Sequence, residues 1–153
     1  ILIFSEFVAT VEHIKKRLST RFPKRRIKAL TGQIRPDNRR NILRRFAPMA
    51  QGVARPPAAQ EIDILVASDA ISEGENLQDA RIVINFDLPW TPLKLIQRVG
   101  RVDRFAPEPR SVHVYNLFPK GPEYEMVVEL SYGRKLWMTD LIARMKKAAY
   151  PIS

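Results

Sequence analysis

The stretch "LIQRVGRVDRF" at residues 95–105 contains three arginines at three-residue spacing around one glycine, Arg98, Arg101 and Arg104. An arginine guanidinium keeps its proton and donates from a planar fork, so it can bind two phosphate oxygens together. Two such groups beside a γ-phosphate would stabilise the charge that develops during phosphoryl transfer, an effect worth about 10³–10⁵ in rate. Taken alone, however, these eleven residues favour a plain solvated basic face.

A helix is predicted over residues 92–104, beginning at Pro92 with Thr91 as its N-cap. Gly100 lies in its middle, where it would cost up to about 1 kcal/mol relative to Ala, and we expect it to let a backbone or a ligand approach closely. One narrow apolar stripe of this helix should pack inward, formed by Leu95, Val99 and Val102. A second stripe on roughly the opposite side projects one amide and two guanidiniums together, from Gln97, Arg101 and Arg104.

Five short apolar runs predict β-strands, and the runs ILIF, ILVA and IVINF are continuous rather than alternating. Continuous runs are typical of strands buried on both faces, and hence of a parallel sheet flanked by helices. The predicted fold is α/β, an open three-layer parallel sheet of about five or six strands with helices on both faces. The predicted strands lie at residues 1–7, 26–32, 62–69, 81–89 and 111–119.

Helical spacing of apolar residues predicts the elements between these strands. The first helix is capped by Thr10 or Ser5 and ends at Phe22–Pro23. A second helix, at residues 35–46, turns its apolar side chains inward and its arginines outward. The residues that should face the core are Val11, Ile14 and Leu18 in the first helix and Ile42, Leu43 and Phe46 in the second.

Two further segments have their own character. The Pro/Ala-rich residues 48–61 show no periodicity and predict a surface insertion. Residues 120–153 predict a C-terminal helical extension of one or two helices that packs on the same domain. Ligands of open parallel sheets meet the loops at the carboxyl ends of the strands. Here those loops hold Ser5–Glu6, Thr31–Gly32, Ser68–Asp69 and Asp87–Trp90.

The positive charge is concentrated in one part of the sequence. Residues 12–45 contain thirteen Lys or Arg against two acids, so this segment carries +11 in a chain whose net charge is +10. Such asymmetry, with an isoelectric point near 10.3, is the footprint expected of one phosphate-binding face. A solubilising surface is the plainer alternative.

Several classes of protein are disfavoured by composition. The 153 residues contain no cysteine and two histidines, so a disulfide framework, a thiolate metal site and a histidine metal cluster are not expected. No apolar run approaches the ~20 residues of a membrane span. No GxSxG elbow accompanies the serines, which disfavours a hydrolase triad. The chain begins with Ile inside an apolar run, and we expect it to be a piece of a longer protein.

The segment "ILVASDAISEGENLQDARIVINFDLPWTPLKLIQRVGRVDR" resembles motifs V and VI of superfamily 2 helicases and translocases at their usual separation. "ILIFSEF" is similar to motif IV, and "ALTGQ" to the short phosphate-contacting motif after the second strand. The resemblance covers residues 1–119 and implies the second RecA-like lobe of an ATP-driven motor on nucleic acid. A flavodoxin-like or response-regulator domain would share the sheet but would not explain the arginines.

The resemblance implies a role for particular positions. Arg101 and Arg104 match the arginines that reach the γ-phosphate across the lobe interface, and Gln97 matches the residue near that phosphate and its attacking water. The implied nucleotide contacts are Gly74, Asn76 and Arg98, although the Arg98 position more often braces the site. The implied contacts to the nucleic-acid backbone are Thr31, Gly32, Ser68 and, as a weaker assignment, Arg39.

The subtype that the residues resemble is the Swi/Snf-type double-stranded DNA translocases, through "GENLQDARIVINFDLPW" followed by "QRVGRVDR". The bacterial ATPase branch that recycles RNA polymerase is the most similar. DEAD-box RNA helicases usually have His at the position of Gln97, Gly at that of Asp103, and "RGLD" in place of "EGEN". An RNA helicase lobe and a non-catalytic helicase-like module for nucleic-acid or partner binding remain the alternatives.

The sequence contains no GxxxxGK[ST] motif, which in this superfamily belongs to the first lobe. The resemblance therefore implies that ATP and Mg²⁺ are bound mainly by an N-terminal RecA-like lobe of the same polypeptide, and that the isolated fragment is inactive. The implied partners are that lobe and nucleic acid, most simply double-stranded DNA, with no membrane. The implied location is cytoplasmic, associated with the nucleoid if the source is bacterial.

Overall fold

Five strands pair in parallel throughout, in the spatial order β2-β3-β1-β4-β5. A computed structural model describes residues 1–69, 74–89, 92–103 and 111–117 of the chain. Each strand lies within one of the predicted runs, so the predicted strands and the parallel sheet are confirmed. The strands are β1 Leu2–Ser5, β2 Ile27–Leu30, β3 Ile64–Ser68, β4 Ile82–Asn85 and β5 His113–Asn116.

Three helices lie in the described part of the chain: α1 Val8–Arg21, α2 Pro36–Phe46 and α3 Pro92–Gly100. The predicted caps of α1 are wrong in detail. Thr10 lies inside the first turn, and the N-cap position is Phe7, whose backbone N–H donates to Ser5 Oγ at 3.3 Å. The predicted cap of α3, Thr91, lies outside the described residues.

The end of α3 also differs from the prediction. The helix ends at Gly100 instead of continuing to residue 104, and the backbone N–H groups of Val102 and Asp103 both donate to the carbonyl of Val99. Glycine is a frequent residue at helix ends. A Cβ built on Gly100 would meet no atom within 4 Å, so the close approach expected at this residue does not occur within the described domain.

The two faces of the sheet carry separate apolar clusters. On one face α1 packs Val11 and Ile14 against Ile3, Val66 and neighbouring residues of the strands. The opposite face is covered by α2, and its cluster is larger, with Leu2, Phe4, Leu30, Leu43, Phe46, Leu65, Leu77, Val83 and Val102 among its members. The inward-facing residues predicted for both helices are therefore confirmed.

The strand order explains why the two helices lie on opposite faces. The chain moves from β1 across β3 to β2, and then turns back from β2 to β3. A right-handed crossover in each direction places its helix on a different face of the sheet. The charge pattern predicted that residues 12–45 form one basic face. This prediction is wrong, because α1 and α2 lie on opposite faces of the sheet. The cations of this segment are divided between α1, the edge strand β2 and α2.

The predicted insertion at residues 48–61 is an irregular surface loop, and its first turn is tied to the segment that precedes β4. Asp79 accepts hydrogen bonds from the backbone N–H groups of Met49 and Ala50, each at 2.9 Å. Gln51 Nε2 donates to the carbonyl of Asn76 at 3.0 Å. The loop is therefore anchored to the domain at its first turn.

The helical extension predicted at residues 120–153 lies outside the described residues, and the division of the chain at residue 119 stays a prediction. Within the ranges that the structure describes, no helix is long and apolar enough to cross a membrane.

Candidate functional site

The carboxyl ends of the five strands form one edge of the sheet, called the carboxyl edge below, and each strand brings a polar residue to it. Four of these residues are buried, and Asn116 of β5 accepts at Oδ1 from Asn85 Nδ2 at 2.7 Å. Ser5 and Asn85 form side-chain hydrogen bonds with Asp87 and Asn116, as buried polar groups generally do. The buried members are Ser5, Thr31, Ser68 and Asn85.

Arg98 is the centre of this edge. Its side chain is 2% exposed, and it is the largest of the fully buried side chains in the described part of the molecule. The guanidinium donates two hydrogen bonds to the carboxylate of Asp69, at 2.6 and 2.8 Å. It donates three more, to Asn85 Oδ1, the Asp87 carbonyl and Asp87 Oδ1, at 2.9–3.2 Å.

These five bonds use all five N–H groups of the guanidinium. The Cζ atom of Arg98 also lies over the ring of Phe4, 5.5 Å from the ring centroid. Burial alone would lower the pKa of Arg98, but the hydrogen bonds and charges of Asp69 and Asp87 outweigh burial, so the pKa lies above its ordinary value. The site therefore holds a permanent buried cation that joins α3 to the ends of β3 and β4.

Asp87 extends the network to β1. Its carboxylate accepts from the Ser5 hydroxyl and from the backbone N–H of Glu6, the latter at 3.0 and 3.1 Å. Glu6 Oε1 in turn accepts from Lys94 Nζ on α3 at 2.7 Å, and this bond raises the pKa of Lys94. Three central strands and α3 are thus connected through one chain of charged groups.

The outward face of α3 is unlike its inward face. Leu95, Val99 and the following Val102 are buried, as the periodicity predicted. Leu93 is 60% exposed and Ile96 is 47% exposed, and they share the outer face with Gln97 and Gly100. Large exposed apolar side chains beside an exposed amide are typical of a surface that meets another body.

Arg101 follows this face directly and is half-buried. Its backbone carbonyl accepts from the N–H of Leu77 at 2.9 Å, so the residues before β4 and the end of α3 are joined at this point. Gln97 is exposed on α3, and Arg101 follows it by four residues, just beyond the end of the helix. Arg104, the second predicted γ-phosphate arginine, lies outside the described residues.

The predicted nucleotide-binding residues are Gly74, Asn76 and Arg98. Gly74 has a φ of +98°, a conformation that residues with a Cβ rarely adopt. The backbone turn therefore explains the glycine without any contact to a nucleotide. The Oδ1 atom of Asn76 is buried and has no hydrogen-bond partner within the described ranges. The contacts of Arg98 are with the protein itself, which fits a residue that braces the site. A direct contact of Arg98 with the nucleotide stays a prediction, and it would require Arg98 to give up a hydrogen bond to Asp69, Asn85 or Asp87.

The predicted nucleic-acid contacts fall into two groups. Gly32 is exposed at the end of β2, whereas Thr31 and Ser68 are 2% and 1% exposed. Ser68 Oγ is buried without a partner among the described atoms, so it has an unused hydrogen-bonding group. Arg39 is half-buried on α2 and forms an ion pair with Glu75 at 2.6 Å. The phosphate contacts of all four residues stay predictions.

Sequence reasoning missed the network around Arg98. The periodicity of α3 gives the position of its apolar stripe, but it does not show that a cation beside that stripe is buried. The acceptors Asp69, Asn85 and Asp87 lie 11 to 29 residues away along the chain. The available signal was an Asp at the end of one predicted strand and an Asn and an Asp near the end of the next.

No group of three or more His, Cys, Asp or Glu that could hold a metal ion occurs where the structure is described. The chemistry of this edge is instead that of cations, amides and backbone N–H groups.

The family model described as "Helicase conserved C-terminal domain" matches residues 1–106. This chain belongs to the helicase C-terminal domain family.

Individual relatives agree with this assignment of the helicase C-terminal domain. An uncharacterized ATP-dependent helicase of Bacillus subtilis (strain 168), YqhH, is 44% identical over 74 residues, 48% of this chain and 13% of that protein. The RNA polymerase-associated protein RapA of Vibrio cholerae (strain M66-2) is 44% identical over 52 residues, 34% of this chain and 5% of RapA. The SNF2 domain-containing protein CLASSY 3 of Arabidopsis thaliana is 28% identical over 131 residues, 81% of this chain and 9% of CLASSY 3.

A solved structure also matches the helicase C-terminal domain. The C-terminal part of the Fun30 ATPase domain has a TM-score of 0.66 and 25% identity, over 85% of this chain and 38% of that one. These findings confirm the RecA-like α/β fold and the resemblance to Swi/Snf-type helicases, with RapA among the relatives. The chain spans 5–13% of the length of these three relatives.

Proposed function

We propose that this domain is the second motor lobe of an ATP-dependent translocase or helicase that acts on double-stranded DNA. In this proposal a first RecA-like lobe of the full-length protein binds ATP and Mg²⁺. Arg101 and Arg104 reach the γ-phosphate when the two lobes close, and Gln97 orients the attacking water. The residues of the carboxyl edge contact the DNA backbone.

The observation that carries the proposal is the two-sided character of α3. Its inner side is fixed to three strands through Arg98, and its outer side presents Gln97 next to exposed Leu93 and Ile96 and leads to Arg101. A fixed helix is useful in catalysis because donors that are already positioned need little reorganisation when charge develops. The exposed apolar residues give an approaching lobe a surface to bury, at about 1.5–3 kcal/mol for each large side chain fully buried.

Residues of this domain fit a nucleotide. The guanidinium of Arg101 suits a phosphate, and the buried Asn76 Oδ1, which has no partner among the described residues, is an acceptor for a ribose hydroxyl. When bound, the nucleotide supplies the phosphoryl group that is transferred, and Mg²⁺ neutralises its negative charge. Arg98 takes no part in the chemistry in this proposal. It holds α3 so that Gln97 and Arg101 face outward.

The preference for double-stranded DNA rests on the Swi/Snf-type sequence between Gly74 and Arg104. It includes Gln97 at the position where DEAD-box RNA helicases usually have His. The uneven positive charge of the domain is consistent with a phosphate backbone as the ligand.

The test measures ATP turnover by the full-length protein with double-stranded DNA, single-stranded DNA or RNA as the stimulant. Arg101→Ala and Arg104→Ala should each lower turnover at saturating DNA by about 10³-fold or more while DNA affinity changes little. Arg81→Ala, at an exposed arginine before β4, is the matched control and should leave turnover unchanged.

Three results would count against the proposal. Unchanged turnover in Arg101→Ala and Arg104→Ala would remove the role assigned to these arginines. Stimulation by RNA and not by double-stranded DNA would replace the proposed substrate with the RNA alternative. Absence of nucleic-acid-stimulated ATP hydrolysis in the full-length protein would favour the non-catalytic binding module.

A further inference from the structure

The helicase C-terminal domain has a second concentration of positive charge, at the end of the sheet opposite to the carboxyl edge. Both α1 and α2 run from the carboxyl edge to this amino edge and flank the edge strand β2. Around β2 and at the C-terminal ends of α1 and α2, the chain exposes five cations without an ion pair to any described residue. These residues, called the amino-edge basic surface, are Arg17, Arg21, Lys24, Lys28 and Arg44.

The acidic groups of this region are already engaged. Asp63 accepts from the backbone N–H of Arg26 at 2.7 Å and also pairs with the side chains of Arg26 and Arg25, at 3.1 and 3.7 Å. Asp79 is used by the backbone of the 48–61 loop. Glu61, shortly before β3, pairs with Arg55.

Distance separates this surface from the carboxyl edge. Helix α1 has 14 residues and is therefore about 21 Å long at about 1.5 Å per residue. The Debye length at physiological ionic strength is about 8 Å. Cations at the end of α1 are consequently screened from a phosphate backbone that lies across the carboxyl edge. Their charge contributes little to binding at that edge.

Keeping these cations together has a small cost. Arg17 and Arg21 are four residues apart on the exposed side of α1, and like charges at this spacing repel by a few tenths of a kcal/mol. Interaction with helix C-termini favours Arg21 and Arg44 but does not account for Lys24 or Lys28.

We propose that the amino-edge basic surface is a second binding surface for the phosphate backbone of nucleic acid, separate from the site at the carboxyl edge. Cations about 6 Å apart on a helix can each meet a phosphate, because every strand of a duplex carries one charge per about 3.4 Å of its axis. Recognition of this kind needs no apolar pocket. The exposed ring of Phe22 lies beneath the guanidinium of Arg21, at 5.5 Å from Cζ to the centroid, so its face is partly covered by charge.

An acidic protein segment is the other class of polyanion, and the structure favours it less. Protein interfaces usually have an apolar centre from which charge is depleted. The amino-edge basic surface instead has its charges distributed around an edge strand, with cations on both flanking helices. This arrangement fits a regularly charged polymer better than a folded protein.

The experiment measures the affinity of the full-length protein for double-stranded DNA across a range of salt concentrations, without ATP. The test variant is Arg21→Gln with Lys24→Gln. The control is Arg55→Gln with Arg81→Gln, which removes the same charge from exposed positions outside the surface. Each lost phosphate contact lowers the slope of log K against log salt by about one, so the test variant should lose about two and the control none.

The carboxyl edge provides the contrast that separates this proposal from the proposed motor function. Arg35 is the N-cap residue of α2, and Arg39 lies in the first turn of that helix, near the carboxyl end of β2. Arg35→Gln with Arg39→Gln should lower both the salt slope and the stimulation of ATP turnover by DNA. Arg21→Gln with Lys24→Gln should lower the salt slope and leave the stimulation of ATP turnover at saturating DNA unchanged. If the full-length protein hydrolyses no ATP, the motor function fails while the slope measurement still tests the second surface.

Two outcomes would overturn the second surface. Equal slopes for the test variant and its control would leave these cations as solvated charge. Binding of poly-glutamate that is reduced at least tenfold by the test variant, with an unchanged DNA slope, would assign the surface to an acidic protein partner.

Discussion

The two ends of the sheet use the same residue types for opposite purposes. At the carboxyl edge Arg98 is 2% exposed and donates five hydrogen bonds, two to Asp69 and three to Asn85 and Asp87. At the amino edge Arg17 and Arg21 are exposed and have no ion pair with a described residue.

The hydrogen-bond acceptors near an arginine decide whether its side chain is buried in the framework or exposed to solvent. Residues that follow the strands bring Asp69 and Asp87 to the carboxyl edge, so a cation there becomes part of the framework. At the amino edge Asp63 and Asp79 accept hydrogen bonds from backbone N–H groups, and Asp63 also pairs with Arg25 and Arg26. These acids therefore do not pair with Arg17 or Arg21.

The largest effect is expected from Arg98→Ala. This change leaves the carboxylates of Asp69 and Asp87 partly buried without their cation, and breaking a buried pair in this way costs about 3–5 kcal/mol of the free energy of unfolding. Urea denaturation of the domain measures the loss. Arg101→Ala, at an arginine three residues later whose side chain has no resolved ion pair, is the control and should cost less than about 1 kcal/mol.

Arg98→Lys sharpens the same comparison, because it keeps the charge and removes the planar fork. Its stability should fall between that of the native domain and that of Arg98→Ala. If Arg98→Ala unfolds at the same urea concentration as Arg101→Ala, the network at the carboxyl edge does not stabilise the fold.

A medium effect is expected at the amino edge from Asp79→Ala. The change removes the acceptor of two backbone N–H groups at the start of the 48–61 loop and should cost about 1–2 kcal/mol. Asp37→Ala, at a fully exposed carboxylate 3.8 Å from Arg40, should change the stability by less than about 0.5 kcal/mol. An Asp79→Ala variant as stable as Asp37→Ala would mean that the loop is held by other contacts.

The smallest effect concerns pH. The hydrogen bond to Glu6 raises the pKa of Lys94 in the folded domain, so folding strengthens proton binding there. The contribution is complete below the unfolded pKa, about 10.4, and is lost as the pH rises through the higher folded value. Because the side chain is 38% exposed, the contribution should stay below about 1 kcal/mol.

Urea midpoints of the native domain and of Lys94→Met, measured from about pH 8 to pH 11.5, test this expectation. The difference between the two proteins should be constant at the lower values and shrink at the higher ones. A difference that grows with pH would reverse the assigned sign.

The sheet was predictable because its signal is local. The continuous runs that became β1 and β3 are buried at every residue, and the apolar stripe of α3 lies where the period of 3.6 predicts it. Boundaries were less accurate, since Gly100 ends α3 one turn before the predicted position. The sequence pattern alone does not show whether a glycine interrupts a helix or ends it.

The chemistry of the two ends was less predictable because it depends on strand order. The periodicity of α3 does not show that Arg98 is buried while the adjacent Gln97 is exposed. The acceptors of Arg98 come from strands that are brought together only by folding. Similarly, the adjacency of α1 and α2 in sequence suggested one basic face. Only the reversal of direction at β2 places the two helices on opposite sides of the sheet.

The buried guanidinium of Arg98 also fixes the angle about its axis at which α3 sits. Successive residues of a helix are offset by about 100°, so turning α3 by one position would withdraw the cation from five acceptors and carry Val99 or Gln97 into its place. A smooth apolar stripe could tolerate a partial rotation, whereas a forked cation between two carboxylates cannot. The angle at which α3 presents Gln97 and the exposed Leu93 and Ile96 is therefore set by a cation that is itself buried.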